Sequence, residues 1–189
     1  ELYLASNELK ALPETIVQLK QLSVLDVSRN QLEQLPKSIG ELANLKVLKI
    51  NKNNLQQLPE KLINFKNLEE FNAEENWIKA LPMSLGNLQK LKKLNLTNNQ
   101  LVELPKSIGN LENLEELFLS SNRLMSIPEE LGKLKKLQHL SLYSNGKDPN
   151  PKGFFKKIYY FFTDSHKLFP EDLPQSVWDL EKNGCKIYI

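Results

Sequence analysis

The residues able to do acid–base, nucleophilic or metal chemistry are few. His139 and His166 are the chain's two histidines, and Cys185 is its one cysteine. A tetrahedral metal site needs three or four such ligands at short, regular spacing, and these residues do not supply it. Asp164-Ser165-His166 holds the three residue types of a hydrolase triad. Neighbours in sequence cannot converge as a nucleophile, its base and an orienting carboxylate must, so the run reads as a polar loop. A phosphate loop would show GxxxxGK[ST] or GxGxxG, and neither spacing occurs around the seven glycines. The expectation is therefore no catalytic residue, no metal ligand set and no cofactor.

Composition bounds what remains. Of 189 residues, 40% are hydrophobic and 25% charged, the balance of an ordinary folded domain. No apolar run approaches the ~18 residues a membrane span requires. The 25 basic and 23 acidic residues are interspersed, leaving a net charge of +2 and no concentrated basic stripe, so nucleic acid is not expected as a partner. A single cysteine rules out a disulfide within the chain and leaves the redox compartment open.

Internal repetition carries the real information. Asn recurs at Asn7, Asn30, Asn53, Asn76, Asn99, Asn122 and Asn145, a period of 23 without a slip. Pro13, Pro36, Pro59, Pro82, Pro105 and Pro128 keep the same period in fixed phase. One unit runs Leu91, Leu94, Leu96, Asn99, Leu101, Leu104-Pro105, Ile108, Leu111, or LxxLxLxxNxLxxLPxxIxxL. Leu94 and Leu96 alternate with Lys93 and Asn95, the period of a short strand with one buried face. Asn99 follows where the chain must bend, and its amide can satisfy buried backbone groups there as a stacked ladder. Leu101, Leu104, Ile108 and Leu111 return along the other side, with Pro105 opening a helical or 3₁₀ turn. One unit cannot bury its leucines alone, so the units must stack. Gly40, Gly86, Gly109 and Gly132 share one phase and are assigned to the geometry of the return turn.

This pattern resembles the leucine-rich repeat superfamily, in its LPxx[I/L]GxL subclass, found in bacterial leucine-rich repeat proteins, plant Ras-group-related repeats and animal scaffolds. The resemblance implies an α/β solenoid, a horseshoe with a concave parallel β-sheet, short convex helical or 3₁₀ turns and an irregular C-terminal cap. Residues 1–147 make about seven rows. Glu1-Leu2-Tyr3-Leu4 reads as the second half of a strand, so the first row is expected to be cut and residues to precede it.

Departures from the pattern locate the rest. Ala73 stands at an inner-strand leucine position with Phe71 beside it, a large-for-small exchange. Lys147 stands where a leucine should follow Asn145, and the regular array stops. Residues 148–189 are expected to form a C-terminal cap. Within it, 152–163 read as an aromatic helix from Phe154, Phe155, Ile158, Tyr159, Phe161 and Phe162 at near-helical spacing. Residues 173–189 read as a degenerate last repeat: Leu173-Pro174-x-x-Val177-x-x-Leu180 is a return turn, and Cys185, Ile187 and Ile189 alternate as a strand about one residue out of phase. For the aromatic helix, shielding the last repeat is taken over an amphipathic membrane contact.

The outward residues between the strand leucines are free for contact. One column reads Glu70, Lys93, Glu116, His139, alternating in sign at rows ~4.8 Å apart. The next reads Tyr3, Asp26, Lys49, Asn72, Asn95, Phe118, Ser141, and the column past the ladder Asn holds Trp77 and Arg123. Trp, other aromatic and Arg side chains dominate binding energy where they are exposed. The candidate partner-binding residues are Trp77, Phe118, Arg123 and Tyr143, with Glu74 and Lys49 beside them. For Trp77 the alternative is packing back onto the Asn ladder. The resemblance and the missing chemistry imply a non-catalytic, monomeric protein–protein interaction module that binds a protein partner on its concave face. A bacterial secreted or surface host-interaction protein is the finer expectation. The alternative is the targeting arm of a larger enzyme; glycan or lipid recognition through the aromatics is a third possibility.

Overall fold

A strand, a bend and a return must fit into 23 residues, which leaves room only for short elements. The computed structural model describes residues 1–145 and 173–189. The expected aromatic helix 152–163, the Asp164-Ser165-His166 run and the 147/148 boundary lie outside the described residues.

Among the described residues, eight strands form one parallel sheet in sequential order. They are β1 Leu2–Tyr3, β2 Val24–Asp26, β3 Val47–Lys49, β4 Glu70–Asn72, β5 Lys93–Asn95, β6 Glu116–Phe118, β7 His139–Ser141 and β8 Lys186–Tyr188. The register follows the sequence period: Leu25 faces Leu48, Leu48 faces Phe71, Phe71 faces Leu94, and so on to Leu140. From β2 to β6 the middle residue of each strand is buried and its two neighbours half-exposed. That alternation aims one face of the sheet at the leucine core and leaves the other open.

The return side is built from 3₁₀ helices at Glu14–Gln18, Ile39–Glu41, Glu60–Asn64, Met83–Asn87, Lys106–Asn110 and Glu129–Lys133. Proline opens these turns by its carbonyl as well as its fixed φ. The Ile16 N–H donates to the Pro13 carbonyl at 3.0 Å, and Ile108 donates to Pro105 at 2.9 Å. The glycines that share the turn's phase have a steric reason. A Cβ on Gly86 would stand 2.3 Å from the Ser107 carbonyl oxygen in the next row, and one on Gly40 2.0 Å from that of Lys61. The assignment of these glycines to turn geometry therefore sharpens: they let successive turns approach closely.

Phe71 and Ala73 are both fully buried, and Phe65 is 1% exposed, so the volume lost at Ala73 is met from the neighbouring ring within one continuous core. At the far end, Gln175–Lys182 is an eight-residue α-helix, α1, where earlier rows carry 3₁₀ turns. Val177 and Leu180 bury its inner face against the last 3₁₀ helix. β8 then pairs β7 with Ile187 opposite Leu140, an offset of two repeats plus one residue. The extra residue falls near Gly184, whose φ of +92° suits only glycine.

Candidate binding face

The outward columns can be read only if the rows are fixed, and the ladder asparagines fix them. Asn99 Nδ2 donates to the carbonyls of Ala73 at 3.0 Å, Leu96 at 3.1 Å and Thr97 at 3.3 Å. Its Oδ1 accepts the Ile78 N–H at 3.0 Å. Asn53, Asn76 and Asn122 repeat the four bonds one row apart. The ladder thus joins side chain to backbone across rows, and each amide is buried and fully used.

Just before each ladder Asn the chain adopts a left-handed conformation. Ser6, Arg29, Lys52, Glu75, Asn98, Ser121 and Ser144 all have φ between 53° and 58°. None is glycine, so every row holds a conformation that L-residues disfavour. The residue after each ladder Asn forms the column of Trp77, Gln100 and Arg123, whose N–H groups donate to the carbonyls of Leu55, Ile78 and Leu101 in the preceding row.

The structure separates the six candidate residues into two groups, with Trp77 apart from both. Lys49 and Glu74 sit at β3–β5 within a polar network. Lys49 Nζ lies 3.9 Å from Glu70 Oε1, Lys52 Nζ 3.1 Å from Glu75 Oε1, and Asn95 Nδ2 donates to Glu74 Oε2 at 3.2 Å. Charges there compensate one another, and exposed pairs of this kind are worth about 0–1 kcal/mol each. The register of Glu70, Lys93, Glu116 and His139 is as the period predicts. Lys93, however, reaches Glu116 at 2.8 Å, while Glu70 turns to Lys49.

Phe118, Arg123 and Tyr143 belong to the rows of β6 and β7. Phe118 is half-buried, with Lys93 Nζ 5.4 Å from its ring centroid. Its partner across the sheet is Ser141, so no bulky residue covers the ring from that side. Ser141 and Ser120 hydroxyls bond each other beneath this floor. Tyr143 is 48% exposed, and Arg123 is exposed without an ion pair among the described residues. Trp77 is 53% exposed, which sets aside its packing back onto the ladder. It stands two rows, ~10 Å, from Arg123, with Gln100 between them.

Sequence reasoning missed Tyr188. It lies opposite Ser141 and extends the Phe118 column by one row, 49% exposed. Its offset of 47 residues from Ser141 hid it from a search at multiples of 23. Among the described residues, no three of His, Cys, Asp and Glu gather as a metal site, and no helix is long and apolar enough to cross a membrane.

Parallel sheet, convex 3₁₀ turns and Asn ladder define a leucine-rich repeat solenoid with an open concave face. The chain belongs to the leucine-rich repeat family: the family model described as a leucine-rich repeat region matches residues 2–77 and 73–159. No match was found among curated proteins. A leucine-rich repeat protein of Leptospira interrogans aligns over 97% of this chain and 53% of its own, at 30% identity and a TM-score of 0.50. The ectodomain of the Arabidopsis thaliana receptor kinase GASSHO1/SCHENGEN3, solved with Casparian strip integrity factor 2, aligns over 71% of this chain and 17% of its own, at 35% identity and a TM-score of 0.68. An internalin of Listeria monocytogenes aligns over 71% of this chain and 38% of its own, at 25% identity and a TM-score of 0.65. The chain therefore spans about half the length of the Leptospira protein and smaller shares of the other two.

Proposed function

We propose that the chain is a non-catalytic protein-binding module and that the partner docks on the concave face around Phe118, Arg123, Tyr143 and Tyr188, with Trp77 at the rim. One observation carries this reading: exposed aromatics and an arginine without an ion pair among the described residues share adjacent rows, over a floor of serines. Such side chains dominate interface energies, and a rigid repeat array presents them with little ordering cost. Lys49 and Glu74 serve as the polar border of the same surface. The plant receptor ectodomain solved in complex with Casparian strip integrity factor 2 supports the reading by kinship of fold.

The finer reading is a bacterial secreted or surface protein that contacts host proteins; likeness to the Leptospira and Listeria structures supports it. The test is capture from host and native lysates on the immobilised chain, compared with a Trp77→Ala/Phe118→Ala double variant. Partner recovery should fall strongly while the circular dichroism spectrum is kept. Equal recovery by the folded double variant would remove the site.

A further inference from the structure

We infer that the flank running from Gln31 to Trp77, just past the ladder asparagines, binds a neutral oligosaccharide. This goes beyond the protein-docking reading and shares only Trp77 with it. In the rows of β2, β3 and β4, the residue after each ladder Asn and the one two places further on face solvent. Between them Leu32, Leu55 or Ile78 is fully buried. The rows are held in register by the N–H of Asn54 on the Leu32 carbonyl, that of Trp77 on Leu55 and that of Lys79 on Gln56. One column therefore reads Gln31, Asn54, Trp77 and the other Glu33, Gln56, Lys79, stepping by ~4.8 Å. Gln34, Gln57 and Ala80 adjoin the second column and complete with it an open groove of about 540 Å³.

The groove and its neighbour column concentrate free amides. The side chains of Gln31, Gln34, Asn54, Gln56 and Gln57 make no hydrogen bond among the described residues. Elsewhere on the surface Asn44, Asn67, Asn72, Gln89 and Asn95 are bonded to their neighbours. A free amide offers donors and an acceptor in one plane, the set that pairs with adjacent hydroxyls of a sugar ring. The same columns continue as Gln100, Val102, Arg123 and Met125, so the cluster belongs to the rows of β2 and β3. Trp77 stands at its end, 53% exposed, one row from Asn54. Its indole is a broad apolar face for the C–H side of a pyranose. Charge selects for a neutral ligand: the groove holds one carboxylate, Glu33, and one ammonium, Lys79, neither in an ion pair among the described residues. The bordering charges are mixed. Lys52 is paired with Glu75 at 3.1 Å; Glu8, Glu60 and Glu103 are acidic, and Lys10, Arg29, Lys37 and Arg123 basic. A linear neutral oligosaccharide answers all these features, one ring stacked on Trp77 and the next laid along Gln56 and Gln57.

The test titrates the full chain with cellotetraose, maltotetraose and N-acetylated chitotetraose, followed by calorimetry and tryptophan emission. Sorbitol serves as a polyol without a ring face, and a heparin-derived tetrasaccharide as a charged sugar. At least one neutral tetrasaccharide should bind with a Kd below about 10 mM and change the emission. Trp77→Ala should weaken it about tenfold or more, and Gln56→Ala/Gln57→Ala about fivefold. Both variants alter exposed side chains, so their circular dichroism should match the parent's, and Phe118→Ala should leave sugar binding unchanged. No binding by any of the three, equal binding of sorbitol, or indifference to both variants would overturn the inference. Preference for the heparin tetrasaccharide would overturn it in favour of an anion site. If the sugars fail while lysate capture still depends on Trp77 and Phe118, only the glycan chemistry is wrong. If a sugar binds as expected while capture is indifferent to Trp77 and Phe118, it is the concave docking site that falls.

Discussion

A Cβ built on Gly109 would stand 2.3 Å from the carbonyl oxygen of Glu130, one row further along the stack. The obstacle is backbone, so it cannot swing aside as a flexible side chain would. Gly109→Ala must push two rows apart or tilt their turns, at a cost typical of overpacking, about 1–3 kcal/mol. Thermal unfolding should show a lower midpoint, and an unchanged midpoint would mean the rows are not packed this closely.

The buried amide of Asn99 makes a sharper case. Asn99→Ala leaves the carbonyls of Ala73 and Leu96 and the N–H of Ile78 without their side-chain partner in the core. Each orphaned buried group costs about 1–3 kcal/mol, so a loss of several kcal/mol or outright failure to fold is expected. Asn44→Ala is the control. Its amide donates one exposed bond, to the Lys20 carbonyl at 2.8 Å, and its removal should cost about 1 kcal/mol or less. Similar losses from both variants in denaturant titrations would contradict the ladder's role.

How much of this was legible in the sequence follows from which residues repeat. Strands, ladder and core were readable because Leu94, Leu96 and Asn99 recur by type in every row, with Phe71 and Ala73 as a compensated exception. The left-handed bend was not readable, because the residue there changes from Arg29 to Lys52 to Glu75; backbone geometry recurs without residue identity. A second relay on the convex rim, Asn44 to Lys20, Asn67 to Ala43 and Asn113 to Gln89, did leave a trace at the same period. It was overlooked because Lys90 and Lys136 interrupt the asparagines, donating to Asn67 and Asn113 instead. At the candidate binding face, the types of Trp77, Phe118 and Arg123 could be read, but their pairing could not. Whether a lysine is spent on a glutamate, as Lys52 is on Glu75, depends on side-chain reach across rows.

Cys185 should be inert in the folded chain. It is buried beside α1, and desolvation, reinforced by the nearby Glu181 carboxylate, pushes its pKa from 9.0 up to about 11. At pH 8 only about one thiol in a thousand is ionised, and the thiolate is the reactive form. A disulfide reagent should therefore modify native protein far more slowly than protein in denaturant. The same shift has a sign for stability: the folded state gains from the neutral thiol below pH 9, and that gain is lost as pH rises through about 11. Rapid native-state modification at pH 8 would show Cys185 to be open.

Glu14 should dominate the acid response of the N-terminal rows. Its carboxylate accepts the Ser38 hydroxyl, the Lys37 N–H at 3.0 Å and the Ser38 N–H at 3.4 Å, all one row away. The Ser38 hydroxyl bond first, then the backbone bond from Lys37, hold its pKa below the ordinary 4.5. A depressed carboxylate stabilises the fold above its unfolded pKa and stops doing so as pH falls through its folded value. Glu14→Gln keeps an acceptor but removes the charge. Its unfolding midpoint should lie below the parent's at pH 7, and the gap should close as pH drops below 4.5 toward the folded value. The site is exposed, so the gap should be small and should narrow with added salt. A gap that stays constant from pH 7 down to pH 3 would mean that packing at the first two rows, and not the charge on Glu14, is what the substitution disturbs.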